Sequence, residues 1–192
     1  MKTIIFNGSP RPAGDTASLI ERLCMRLPGE IVRVDAYRRR IAPCVDCRHC
    51  WEQPGCAVQD DMQRLYREIE EADCIVIASP VYFSELTGKL LDVMSRLQMY
   101  YCARVFQGRR LITRPKRGAV ILVGGGDGAP DRAHETAKML LRQMNCTAFH
   151  PLVCSHNTNH APAISDQAAL AGVDSIARFL AEAASEEVGR IQ

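Results

Sequence analysis

No stretch of apolar residues in this chain approaches the ~20 that a membrane-spanning helix needs, and its start has no secretory hydrophobic segment. Strong charge of either sign is missing too. The net charge of +2 over 192 residues is too small to suggest a nucleic-acid partner. There is no internal repeat and no low-complexity tract. Two phosphate-binding signatures are also missing: the dinucleotide pattern G-x-G-x-x-G and the nucleotide pattern ending G-K-[ST]. The C-x5-R loop of phosphatases is absent, and no Ser–His–Asp set or carboxylate pair stands out. These absences predict a cytoplasmic protein with no nucleic-acid or membrane partner and no protein acid or base of its own for catalysis. With 47% apolar residues the chain can bury a full core, and one domain over 1–192 is the simplest organisation.

Cysteine, by contrast, is abundant. Nine are present, an odd number, in a chain that needs no staples, so a disulfide framework is not expected. Cys24, Cys74, Cys102, Cys146 and Cys154 sit in apolar surroundings and read as small core residues. The other four fall within 13 residues, with the spacing C-x2-C-x2-C-x5-C at Cys44, Cys47, Cys50 and Cys56. Two-residue gaps let successive thiolates curl around one centre. Zinc sites more often use two separated C-x-x-C knuckles, so the spacing favours an iron–sulfur cube. Zinc, or thiols that hold nothing, remain as alternatives. The segment around them, 41–60, has neither helical nor strand periodicity, as functional loops often do not.

The rest of the chain alternates strand and helix patterns. Ile4-Ile5-Phe6 is an apolar β run that leads through a Gly/Pro-rich turn into a helix with Leu19, Ile20, Leu23 and Leu27 on one face. Ile31–Val34, Cys74–Ala78 and Ala119–Val123 are further strands, and Ala148–Cys154 is an edge strand interrupted by Pro151. Helices are predicted over Gln59–Ala72, Leu86–Tyr101, Asp131–Met144 and Asp166–Ala184. Such alternation implies an α/β fold, a doubly wound five-stranded parallel sheet in the order 2-1-3-4-5, with the cysteine-rich insert after strand 2. In that order the ligand crevice lies at the switch between strands 1 and 3.

Three loops at strand ends carry the chemistry. After strand 1, Gly8-Ser9-Pro10-Arg11 and Gly14-Asp15-Thr16 place hydroxyls and a guanidinium at a helix start. That suits a terminal phosphate monoester such as that of FMN. After strand 3, Ser79-Pro80-Val81-Tyr82-Phe83-Ser84 offers an aromatic wall and backbone donors for a flavin ring, and after strand 4 comes Gly124-Gly125-Gly126-Asp127-Gly128.

The first loop resembles that of the NADPH-dependent FMN reductases of the flavodoxin-like superfamily, and Ser79-Pro80-x-Tyr82 with Thr87-Gly88 resembles their ring loop. With the cysteine run and the following Asp60-Asp61-Met62, the first ~130 residues resemble the iron–sulfur flavoproteins. The family helix often carries Lys and Asp-Arg where this chain keeps only Arg96. The resemblance implies an FMN oxidoreductase with NAD(P)H as electron donor and a small molecule or redox protein as acceptor. FMN would be held by Ser9, Arg11, Asp15, Thr16 and Ala17, by Pro80, Val81, Tyr82 and Phe83, and by Gly124, Gly125, Gly126 and Gly128. It also implies a 4Fe–4S cluster on the four cysteines and a homodimer or homotetramer. The alternatives are an NAD(P)H:flavin or quinone reductase with no cluster, and a non-enzymatic electron carrier or redox sensor.

Overall fold

The structure, a computed structural model, describes residues 1–188, so the last four residues of the expected domain lie outside it. The core is a parallel sheet. Strand β1 (Lys2–Asn7) is central, flanked by β2 (Glu30–Asp35) and β3 (Cys74–Pro80), and β4 (Lys116–Val123) lies beyond β3. With β5 (Cys146–Phe149) beyond β4, the order β2-β1-β3-β4-β5 is that of the flavodoxin-like fold.

The fifth position carries the interruption expected at Pro151, and the break is complete enough to change the strand count. The position is held by two short strands rather than one. β5 pairs with the start of β4, and β6 (Val153–Ser155) pairs with its end. Proline has no N–H for the ladder, and Pro151 lies in the gap, so the sheet has six strands.

Alternate residues of the central strands feed two cores, as a sheet covered on both faces requires. Ile4, Phe6, Ile75, Ile77, Val120 and Leu122 face one layer. There α3 (Met62–Glu71), α4 (Gly88–Ser95), α5 (Gln98–Phe106) and α6 (Asp131–Gln143) pack. Ile5, Val76, Ala78, Ala119 and Ile121 face the other, under α1 (Asp15–Cys24) and α7 (Gln167–Val188).

Two helices also differ from the sequence pattern. The single helix predicted over Leu86–Tyr101 is broken at Arg96 and Leu97, where α4 ends and α5 begins. The helix expected from Gln59 starts at Met62, because Asp60 turns back to accept the Met62 N–H at 3.0 Å. Among the described residues, no helix is long and apolar enough to cross a membrane.

Candidate functional site

One cleft, of about 500 Å3, opens at the C-terminal ends of β1, β3 and β4. Its first wall is the loop from β1 into α1. Asn7 is fixed by donating to Asp35 at 2.6 Å, and its own side-chain oxygen accepts the Ser9 N–H at 2.9 Å. The Ser9 hydroxyl then accepts from the Arg11 N–H at 3.2 Å, which folds the loop over the helix start. Gly14 precedes α1, and no side chain caps that end. The first N–H groups of the helix thus stay unclaimed by a cap, at its positive end, beside Ser9, Arg11 and Thr16.

The second wall is the end of β3. Pro80, Val81 and Tyr82 line the cleft, but Phe83 does not. Tyr82 and Glu85 exchange backbone hydrogen bonds, and between them Phe83 (φ 53°) and Ser84 (φ 60°) are both left-handed, leaving Phe83 fully exposed. That is a two-residue turn normally made by Asn-Gly. The Val81 N–H goes to the Val123 carbonyl and the Tyr82 N–H to Glu85, so neither is free to meet a ring edge as expected. The Ser79 and Thr87 side chains do something unforeseen. Thr87 Oγ1 donates to the Gly8 carbonyl, and the Ser79 hydroxyl accepts the Thr87 N–H, tying the second wall to the first.

The third wall is Val123 and Gly125, backed by a fourth loop that sequence reasoning missed. After β6, the N–H groups of Asn157, Thr158 and Asn159 bond to the carbonyls of Gly126, Gly124 and Gly125. Thr158 and Asn159 line the cleft, and a Cβ on Gly125 would sit 2.8 Å from the Asn159 amide. The one sequence signal was the turn-forming Asn157-x-Asn159 after a broken strand. Of the remaining predicted residues, Ala17 is buried inside α1, and Gly124, Gly126 and Gly128 lie in the glycine loop without lining the cleft. Asp15 lines it but is also engaged, accepting the Ala163 N–H at 2.8 Å.

A second pocket is lined by all four clustered cysteines together with Trp51 and Arg96. Its loop has little regular structure beyond one helical turn, α2 (His49–Glu52), and it is fastened from outside. Cys44 donates its N–H to Ser95, Gln107 donates to the Cys50 and Gln53 carbonyls, and Trp51 stacks on Phe106 at 4.1 Å. Asp46 and Arg48 hold left-handed backbone, the kind of strain that collects at functional loops.

Arg96, in the gap between α4 and α5, is the hub. Its Nη1 donates to Asp60 at 2.6 Å and to the Ala42 carbonyl; its Nη2 donates to the Val58 carbonyl and to the Cys56 sulfur at 3.4 Å. Burial raises the carboxyl of Asp60, but the Arg96 fork and the N–H groups of Ala42 and Met62 outweigh it and hold Asp60 below its ordinary value. Burial, followed by contact with the Cys102 thiol, pushes Cys50 up to about 12. All nine cysteines are free thiols. Among the described residues no three His, Cys, Asp or Glu side chains converge on a point that would hold a metal ion. Four thiols spread around one cavity fit an object larger than an ion better than the short bonds of zinc.

A family model described as NADPH-dependent FMN reductase matches residues 1–160. The chain belongs to this family. Within and around the FMN reductase family, it is similar to an iron-sulfur flavoprotein of Archaeoglobus fulgidus, 30% identical over 134 residues, 68% of this chain and 58% of that protein. An iron-sulfur flavoprotein of Methanocaldococcus jannaschii is 32% identical over 99 residues, 50% of this chain and 51% of the other. The match thus spans only about half to three-fifths of these relatives' lengths. Among solved structures, an FMN-dependent NADH-azoreductase of Bacillus anthracis in complex with FMN superposes with a TM-score of 0.66 at 19% identity. That match covers 94% of this chain and all of the other. An NAD(P)H:quinone oxidoreductase of Methanothermobacter marburgensis gives 0.67 at 14%, covering 94% of each chain. At such identities these structures establish a common flavodoxin-like fold.

Proposed function

We propose that this protein is an FMN-binding oxidoreductase that moves electrons from NAD(P)H to a small-molecule or protein acceptor. The observation that carries the reading is the meeting of Arg11, Ser9 and the uncapped start of α1 with Pro80–Tyr82 and Gly125 in one cleft. Such an end fits a phosphate monoester and the rest fits a flat ring. When bound, FMN supplies hydride and single-electron chemistry at its ring. The chain's own part is to hold it. Arg11, Ser9, Thr16 and the first N–H groups of α1 take the phosphate, while Asp15 and Ala17 shape that turn. Val81 and Tyr82 would flank the ring, and Gly125, held in a glycine loop braced by Asn157–Asn159, would close the far side.

Cys44, Cys47, Cys50 and Cys56 would hold a 4Fe–4S cluster, which would supply one-electron transfer. Support for it is the shared cavity and its buried cationic neighbour. A reductase without a cluster is the second reading, favoured by the lack of any close three-ligand group among the described residues. We infer a cytoplasmic protein, since nine free thiols suit a reducing compartment, and a homo-oligomer on the family resemblance alone.

Flavin fluorescence titration and steady-state oxidation of NADH and NADPH test this. Saturable FMN binding with turnover supports the enzyme. Binding without NAD(P)H oxidation points to an electron carrier, and no binding overturns the reading.

A further inference from the structure

Arg96 is buried to 1% exposure between α4 and α5, yet one of its nitrogens, Nε, has no hydrogen-bond partner. An unused buried donor costs free energy, and this one belongs to a residue that lines the four-cysteine cavity. The rest of the guanidinium is polarised. Asp60 sits on Nη1, whereas Nη2 donates to the Cys56 sulfur. The ion pair therefore turns its positive end toward one of the four sulfurs. The same fork holds the carbonyls of Ala42 and Val58, which bracket the cysteine run on both sides.

Hydrogen bonds and net charge at the sulfurs are main determinants of an iron–sulfur centre's potential. We propose that Arg96 is a positioning residue that sets the potential of the cysteine centre, favouring the reduced, more negative state through its contact with Cys56. This inference rests on the cluster reading given above. Asp60 is the counterweight: its carboxylate cancels part of the guanidinium charge, so the two residues should act on the potential in opposite directions.

The test uses the full chain, reconstituted anaerobically with ferrous iron and sulfide. Iron and acid-labile sulfide are counted, and the midpoint potential is measured by optical and paramagnetic-resonance titration. Arg96→Lys keeps a positive charge but not the fork. It should retain its iron while the ratio of reduced to oxidised centre at fixed poise falls about tenfold, a midpoint ~59 mV lower for one electron. Asp60→Asn should raise the midpoint. Equal midpoints in all three fully loaded proteins, or a shift of both variants in the same direction, overturn the inference and leave the cluster intact. A purely structural role would lower iron content without such opposed shifts. If Arg96→Lys does not fold, the direction of the Asp60→Asn shift decides alone. Wild-type protein that takes up neither iron nor sulfide removes the cluster reading and this inference with it.

Discussion

Thr87 Oγ1 donates a 2.7 Å hydrogen bond to the carbonyl of Gly8, 79 residues earlier in the chain. Both groups are buried, and the bond joins the loop after β1 to the one after β3. Gly8 cannot carry a side chain there, since a Cβ would lie 2.8 Å from Ser79 Oγ and 2.9 Å from both Leu90 and Thr87. Thr87→Val should therefore cost about 1–3 kcal/mol, leaving a buried carbonyl unpaired. Gly8→Ala should cost about the same through overpacking. Urea unfolding measures both, and Thr87→Ser should restore most of the loss. A neutral Thr87→Val would remove the stitch from the account of the cleft.

Arg11 is exposed and lines the cleft without an ion-pair partner among the described residues. Arg11→Ala should leave the unfolding midpoint in place but weaken FMN binding by roughly 1–3 kcal/mol, the worth of a charge-assisted bond. Asn159→Ala should weaken it less, because Asn159 acts on Gly125 from behind. Fluorescence titration reads both. Equal affinity of Arg11→Ala and wild type would move the phosphate elsewhere.

Thiol chemistry should sort the nine cysteines by environment. Cys44 and Cys47 are exposed, whereas Cys74, Cys102 and Cys146 are buried. Burial pushes Cys74 and Cys146 up to about 12, and Cys50 reaches the same value. Since the thiolate is the reacting form, iodoacetamide at pH 8 should label Cys44 and Cys47 first in metal-free protein and Cys50 much later. Peptide mass spectrometry follows the order, and early labelling of Cys50 would contradict its packing against Cys102.

Asp60 is held below its ordinary value, so its contribution to stability is fully present above the unfolded carboxyl pKa of about 3.9. That contribution is lost as pH falls through the lower folded value, where the proton breaks the Arg96 pair. Asp60→Asn should thus be less stable at pH 7, with a flatter decline below about pH 4. Thermal unfolding at pH 7, 5 and 3 checks it; parallel curves for the two proteins would be inconsistent with the pairing.

The sheet was legible because Ile4-Ile5-Phe6, Cys74–Ala78 and Ala119–Val123 are apolar on both faces, which only a central parallel strand tolerates. Pro151 announced the break in the edge strand. The break at Arg96 was not legible. Its neighbours keep helical spacing, and what ends α4 is a charge pulled inward by Asp60, 36 residues away. The ring loop was found by its motif but misread in detail. Phe83 looks like a wall in sequence, whereas the two-residue turn that carries it is set by pairing between Tyr82 and Glu85. Likewise, Asn157 and Asn159 mark a turn in the sequence but not its place behind the glycine loop, since that contact is made across the sheet end.

The division of the outermost strand also governs how copies of this protein can meet. A continuous outer strand would offer a row of open N–H and C=O groups on which a second sheet could grow. Here that rim is two fragments of four and three residues with Pro151 in the gap, too short and interrupted to template such growth. On that side of the sheet, growth by strand addition is thereby blocked, and the continuous strand β2 is the edge that stays open to pairing.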